Sequence, residues 1–268
     1  MKQRISIVAL ALVAMMSVQS VMAWGGFGHT AIAYVAEQHL TPEAKAKCRY
    51  YLKHTLPYYA SWMDYWRSVP KFKSVNNPHS NKVLPDGRNL DWEGGKPAGY
   101  VMGHLKNAID ELGNGKYKNL PDSVVRQRLI NMVHYVPDMH CPVHVGFPKK
   151  EFAHYRYSIY RKGKKINYHG FWDGSPGYKR SKWNVAKYAE EVDKVSPKKA
   201  QKWVKGSLDT WARDIIKQAH RCYQITTEGC DVAQFTEKDD ALVHELSDEM
   251  AMKAAYRLAY VLNTIFAE

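Results

Sequence analysis

The chain has 268 residues, 45% of them hydrophobic and 24% charged, a balance that excludes disordered and collagen-like chains and leaves one large domain or two small ones. Its 39 basic and 26 acidic residues give a net charge of +13, which excludes an acidic-tail protein and favours acidic partners such as nucleic acid or phospholipid head groups.

Residues 1–23 read as an export signal. Lys2 and Arg4 are followed by an apolar run from Ile5 to Met16, and Val21-Met22-Ala23 supplies a small residue at the cleavage point. That run is too short to span a bilayer. The expected mature chain, residues 24–268, begins Trp24-Gly25-Gly26-Phe27-Gly28-His29, and losing Lys2 and Arg4 lowers its net charge to 13 − 2 = +11. It is expected to be secreted or periplasmic, without stable membrane insertion, and a monomer.

Helical signals dominate the rest. Apolar spacing predicts helices over 30–40 and 42–52, the second opened by Thr41 as N-cap with Pro42 in its first turn. A third is expected over 58–67. Residues 76–97, rich in Asn, Pro, Gly and Asp, predict a long irregular loop, after which helical spacing resumes over 100–112. Further helices are expected over 121–136 and from Ser196-Pro197 towards Cys222. Leu242, Leu246, Met250, Ala254, Leu258, Val261 and Ile265 mark a long core helix at the C-terminal end. Between them, Tyr157, Ile159 and Ile166 flank Lys162-Gly163-Lys164 in a small hairpin over 156–168. Without repeat or linker, one all-α domain with one hairpin is the economical reading. Cys48, Cys141, Cys222 and Cys230 fit an oxidising compartment, where up to two disulfides are expected in any of three connectivities.

Metal donors are placed in a non-random way. His134-x3-Asp138 and His169-x3-Asp173 each put an imidazole and a carboxylate on one helix face. A single such pair is ordinarily a hydrogen-bonded pair; two of them, with His144 just past Cys141-Pro142, Asp64 and His79 upstream and Trp24-x4-His29 at the expected new terminus, are hard to obtain by chance. The terminal amine is itself a donor: its pKa of about 7.7 to 8.0 lets a metal displace its proton near neutrality, whereas before cleavage it is an amide. His140 and Cys141 are set aside as a neighbouring polar group and as a disulfide half or buried thiol. The basic run 161–165 is read as a solvated hairpin tip.

Together these motifs resemble the zinc-dependent, single-strand-specific nucleases of the S-one/P-one type, related in fold to bacterial zinc phospholipase C. The anchors are Trp24-Gly25-x2-Gly28-His29, Ser61-Trp62-Met63-Asp64-x2-Arg67, His79, His134-x3-Asp138-Met139-x2-Pro142-Val143-His144 and Asn167-Tyr168-His169-x2-Trp172-Asp173. The resemblance implies a single multi-helix domain and three zinc ions. Asp64, His79, His134 and Asp138 would hold the first, His144, His169 and Asp173 the second, and Trp24, His29 and a shared Asp138 the third. It implies hydrolysis of single-stranded DNA or RNA to 5′-phosphate products, with 3′-nucleotidase activity. Water would be activated between the first and third ions, the second ion would meet the leaving 3′ oxygen, and Arg67 would clamp the phosphoryl oxygens. One departure concerns the base: Ser80, Asn81 and Lys82 follow His79 where these nucleases usually carry an aromatic and then an acidic or amide residue. Tyr100, Tyr135, Phe147 and Tyr168 are alternative stacking faces, and a phospholipase C or other phosphodiesterase on the same scaffold is the alternative activity.

Overall fold

A computed structural model describes residues 24–66, 79, 81–82, 101–146 and 158–267. The signal region 1–23, Arg67, Ser80, Tyr100, Phe147 and most of the loop 76–97 lie outside the described residues. The described chain is an all-α domain: α1 (Gly25–Gln38), α2 (Pro42–Leu52), α3 (Leu56–Tyr59), α4 (Trp62–Trp66), α5 (Val101–Leu112), α6 (Asp122–His140), α7 (Tyr168–Asp173), α8 (Val185–Val192), α9 (Pro197–Val204), α10 (Leu208–Ile225) and α11 (Glu237–Phe266).

The long α11 is the axis of the core. Thr236 and Asp239 close a reciprocal capping box at its start, and Leu246, Met250, Ala254, Leu258, Leu262 and Ile265 are buried along it. It packs against α1, α2, α6, α9 and α10. Beside it runs α6, which carries the central donors; α1 lies against both.

Helix α2 has the bounds its cap predicts, with Ala44 N–H donating to Thr41 Oγ1 at 3.2 Å. Other expected boundaries move for identifiable reasons. The helix expected over 30–40 starts at Gly25, because Trp24 and Gly25 take left-handed φ values of 48° and 51° and turn the chain directly into α1. Gly28 keeps that turn uncrowded: a Cβ would lie 3.0 Å from Trp24 Cβ and 3.3 Å from Pro176 Cγ. The helix expected over 58–67 is two short ones, α3 and α4. The helix expected from Pro197 to Cys222 is broken between α9 and α10, where Gly206 has φ +105°. In the other direction, α6 continues past Val136 and through Pro137 to His140.

The hairpin forms as expected. Strands β3 (Ser158–Arg161) and β4 (Lys164–Asn167) pair antiparallel around Lys162 and Gly163, both at positive φ as a two-residue turn demands. Its tip is not simply solvated: Asp231 accepts the backbone N–H groups of Lys162 and Gly163 at 3.0 and 2.8 Å. A second pairing, parallel, joins β1 (Asn81–Lys82) to β2 (Val145–Gly146) and ties the segment after His79 to the segment after His144.

The expected disulfides are not formed; all four cysteines are free thiols. Cys48, Cys141 and Cys222 are packed in the core, at α2, the end of α6 and α10, while Cys230 is half-buried in the loop against the hairpin. Burial, helped by the Glu37 charge, pushes the Cys48 thiol up to about 12. No helix among the described residues is long and apolar enough to cross a membrane.

Candidate metal centre

The four-residue spacing on α6 puts His134 and Asp138 on one face, one turn apart, with His134 Nε2 3.2 Å from Asp138 Oδ2. Helix α4 brings Asp64 to the same point and the segment before β1 brings His79. His79 Nδ1 lies 3.0 Å from Asp138 Oδ2, 3.5 Å from Asp64 Oδ1 and 3.0 Å from His134 Nε2. His134 Nε2 is 3.7 Å from Asp64 Oδ1. Four donors about 2.0–2.2 Å from one zinc at tetrahedral angles stand roughly 3.3–3.6 Å apart, so these separations fit one ion.

Helix α1 supplies the next group. The rings of His29 and His134 stack with centroids 4.4 Å apart, and His29 Nε2 faces Asp138 Oδ1 at 3.3 Å. The two oxygens of Asp138 are therefore divided, Oδ2 to His79 and His134 and Oδ1 to His29. Asp64 is divided as well, since its Oδ2 lies 3.9 Å from His29 Nε2; the resemblance implied only Asp138 as a bridge. Trp24 stands beside this group, buried, with its indole N–H donating to Pro137 O at 2.7 Å. Its carbonyl oxygen accepts Gly28 N–H at 3.0 Å and keeps a second lone pair.

The remaining donors meet where the short helical turn Pro142–His144 faces α7. Asn167 caps α7 by accepting Gly170 N–H at 3.0 Å, and one turn places His169 Nε2 3.1 Å from Asp173 Oδ2. His144 Nε2 lies 3.8 Å from Asp173 Oδ1. The nine donor residues that spacing and resemblance select thus occupy one region, and three sets are metal-capable by proximity: His29, His134 and Asp138; Asp64, His79 and His134; Cys141, His144 and Asp173. In the last set Cys141, discounted from sequence, stands where His169 was expected, because Sγ approaches Asp173 Oδ1 to 3.3 Å. The only sequence clue to it was its position within the metal-bearing stretch.

Orientation is held from outside the cluster. His134 Nδ1–H donates to Ala60 O at 2.8 Å and His144 Nδ1–H to His79 O at 2.6 Å, which fixes the tautomers and leaves each Nε2 directed inward. His140 points the other way: Nδ1–H donates to Val136 O, and Nε2 accepts from buried Arg257 at 2.8 Å. It anchors the end of α6 and is not among the donors.

The donor chemistry fits a cation. Asp64, Asp138 and Asp173 are at most 4% exposed, and buried carboxylates require compensating charge. Among the described residues, both oxygens of Asp138, both ring nitrogens of His29, Nε2 of His79 and Oδ2 of Asp173 make no hydrogen bond. Burial alone would depress the His134 imidazole, yet Asp138 and Asp64 outweigh it and raise His134 to about 9. Burial would raise Asp138, but the charge of His134, one turn away, holds its carboxyl well below the usual range. The His134 proton thus balances Asp138 where a metal would do so. At His144 the burial penalty wins and lowers the pKa, favouring the neutral ring a metal needs.

Two of the candidate stacking residues are removed. Tyr135 and Tyr168 are buried, Tyr135 stacked on His104 with centroids 5.7 Å apart and Tyr168 on Tyr223 at 5.1 Å; their faces are used by the core.

A family model described as S1/P1 nuclease matches residues 24–267. A search of curated proteins finds no match.

Proposed function

The chain belongs to the S1/P1 nuclease family, a nuclease of the hydrolase class acting on nucleic acid, and from that membership we propose an exported, three-zinc phosphodiesterase that cleaves single-stranded DNA or RNA. Its products carry 5′-phosphates, and 3′-nucleotides also lose their phosphate. The observation that carries this reading is the division of Asp138 between two donor groups, Oδ2 3.0 Å from His79 Nδ1 and Oδ1 3.3 Å from His29 Nε2. A lone structural site has no use for a carboxylate split in this way.

On this reading Asp64, His79, His134 and Asp138 hold the first ion, His144, His169 and Asp173 the second, and Trp24, His29 and Asp138 the third. Zinc bound there supplies Lewis acidity, lowering the pKa of coordinated water to roughly 7 and neutralising charge on phosphoryl oxygens. The residues do the positioning. Asp138 fixes the spacing of first and third groups, and Asp64, facing both His79 and His29, orients the attacking water. His169, with its side chain 31% exposed, marks the open side from which a phosphate enters. Arg67, three residues beyond Asp64 and outside the described residues, supplies a guanidinium for the charge that grows on the phosphate.

A recessed centre favours a strand that can bend its phosphate inward, and a stacked duplex resists that bend. The expected charge of the mature chain, 13 − 2 = +11, draws in polyanions. Removal of residues 1–23 frees the Trp24 amine, so export and completion of the third group become one event.

The test uses the chain starting at Trp24, loaded with zinc, on matched single- and double-stranded oligonucleotides. Single strands are cleaved to 5′-phosphate ends, and a version with one extra residue before Trp24 has less zinc and less activity. Equal cleavage of both substrates, or of neither, rejects the reading. Hydrolysis of phosphatidylcholine vesicles without nuclease activity would replace it with the phospholipase C alternative.

A further inference from the structure

Cys141 lies within the donor group of His144 and Asp173. Its Sγ is 3.3 Å from Asp173 Oδ1, to which the thiol donates. The side chain has no exposed surface. Across the carboxylate, Asp173 Oδ2 makes no hydrogen bond and faces His169 Nε2 at 3.1 Å. Resting on the metal reading of the site, we propose that Cys141 is a positioning residue for the second ion: its S–H occupies Oδ1 of Asp173 and turns Oδ2 towards the ion shared with His144 and His169.

The two oxygens of an aspartate are equivalent until something tells them apart, since rotation about the terminal bond is broad and roughly two-fold. A donor on one oxygen removes that equivalence. The partner of a ligating carboxylate typically matters 10–100-fold in metal affinity. Direct ligation is the rival arrangement, because donor atoms of Cys141, His144 and Asp173 all lie within 4.8 Å of one another. A sulfur that keeps its proton and gives it to Asp173 is a thiol, whereas the metal-ligating form is the thiolate. A fourth protein donor would also close the second ion in the manner of structural zinc sites.

The test compares the chain starting at Trp24 with C141A and C141S variants. Zinc content is measured by mass spectrometry against a graded chelator series, and circular dichroism reports folding. One of three ions is expected to leave C141A at roughly 10–100-fold higher free zinc than it leaves the unsubstituted chain. C141S falls between, because a hydroxyl restores the donor. Cobalt-loaded unsubstituted protein shows no sulfur-to-cobalt charge-transfer band in the near ultraviolet, and this spectrum serves even where C141A fails to fold. Equal zinc affinity in all three proteins overturns the role and leaves the proposed function standing. A charge-transfer band lost in C141S overturns it in favour of direct ligation. An unsubstituted chain that binds no zinc overturns the proposed function and this role with it.

Discussion

Replacing Asp138 by Asn tests the three-ion reading most sharply, because the two oxygens of this carboxylate face different donor groups. Anything that binds only the folded chain stabilises it by RT ln(1 + [L]/Kd), about 2.7 kcal/mol per ion when free zinc is 100 times Kd. Three ions contribute about 8 kcal/mol. For 150–250 residues each kcal/mol moves the melting temperature by roughly 2–4 °C, so zinc should raise Tm of the mature chain by about 16–32 °C over its chelated form. D138N weakens the first and third ions together and keeps the second, leaving about 2.7 kcal/mol, a rise of roughly 5–11 °C. H169A touches only the second group and keeps about 5 kcal/mol, or roughly 11–22 °C. Each variant is referred to its own chelated form by scanning calorimetry, which cancels the cost of the substitution to the metal-free fold. Equal losses in D138N and H169A would refute the division of Asp138, and a chelator-insensitive Tm in the unsubstituted chain would refute the metal centre itself.

Three further outcomes follow from the scaffold. Buried Arg257 donates to Trp203 O at 2.9 Å, to His140 Nε2 at 2.8 Å and to Asp214 at 3.2 Å; R257L should cost about 3 kcal/mol in urea unfolding, and a loss below about 1 kcal/mol would contradict that network. At G28A the added Cβ lies 3.0 Å from Trp24 Cβ; overpacking of about 1–3 kcal/mol exceeds the roughly 1 kcal/mol helix gain of Ala over Gly, so net destabilisation and reduced zinc content are expected, and a more stable, fully loaded variant contradicts this. Burial would raise the Asp214 carboxyl, but Lys253 and Arg257 outweigh it and hold it below its ordinary 3.8. Its contribution is therefore present above about pH 4 and lost as pH falls through the lowered value; D214N should be less stable at pH 7 and show a shallower acid limb in urea midpoints from pH 7 to 3, and parallel limbs would contradict the assignment.

What could be read from the chain depended on how local each cause was. Thr41 and Pro42 set the start of α2 within one turn, and the helix begins there. Lys162-Gly163 needs positive φ at both positions and has it, so the hairpin was legible too. The start of α1 was not: Gly25, Gly26 and Gly28 look like a loop, and the left-handed turn at Trp24 and Gly25, with Trp24 and Pro176 close against Gly28, is set by tertiary packing. The helix expected over 121–136 runs on through Pro137 to His140, because burial of His134, Tyr135, Asp138 and Met139 along that stretch outweighs the hydrogen bond that a proline removes.

The metal centre divides along the same line. His134 with Asp138 and His169 with Asp173 are neighbours by helix geometry alone, so their spacing carried real information. Asp64 and His79 reach the same point through long-range packing and were placed by the order of motifs they share with a family, not by spacing. Cys141 is the buried thiol that was one of its two expected readings, but its direction depends on an angle no pattern encodes: α6 ends at His140, Cys141 takes φ −77° and ψ 113°, and Pro142 begins a tighter turn. That single change of direction sends His140 back to Arg257 and turns the thiol of its neighbour towards Asp173. The side chains on the two sides of this bend therefore do different work, one anchoring the helix to the core and the other facing the donors, and substitutions at His140 should appear first in unfolding while those at Cys141 appear first in zinc affinity.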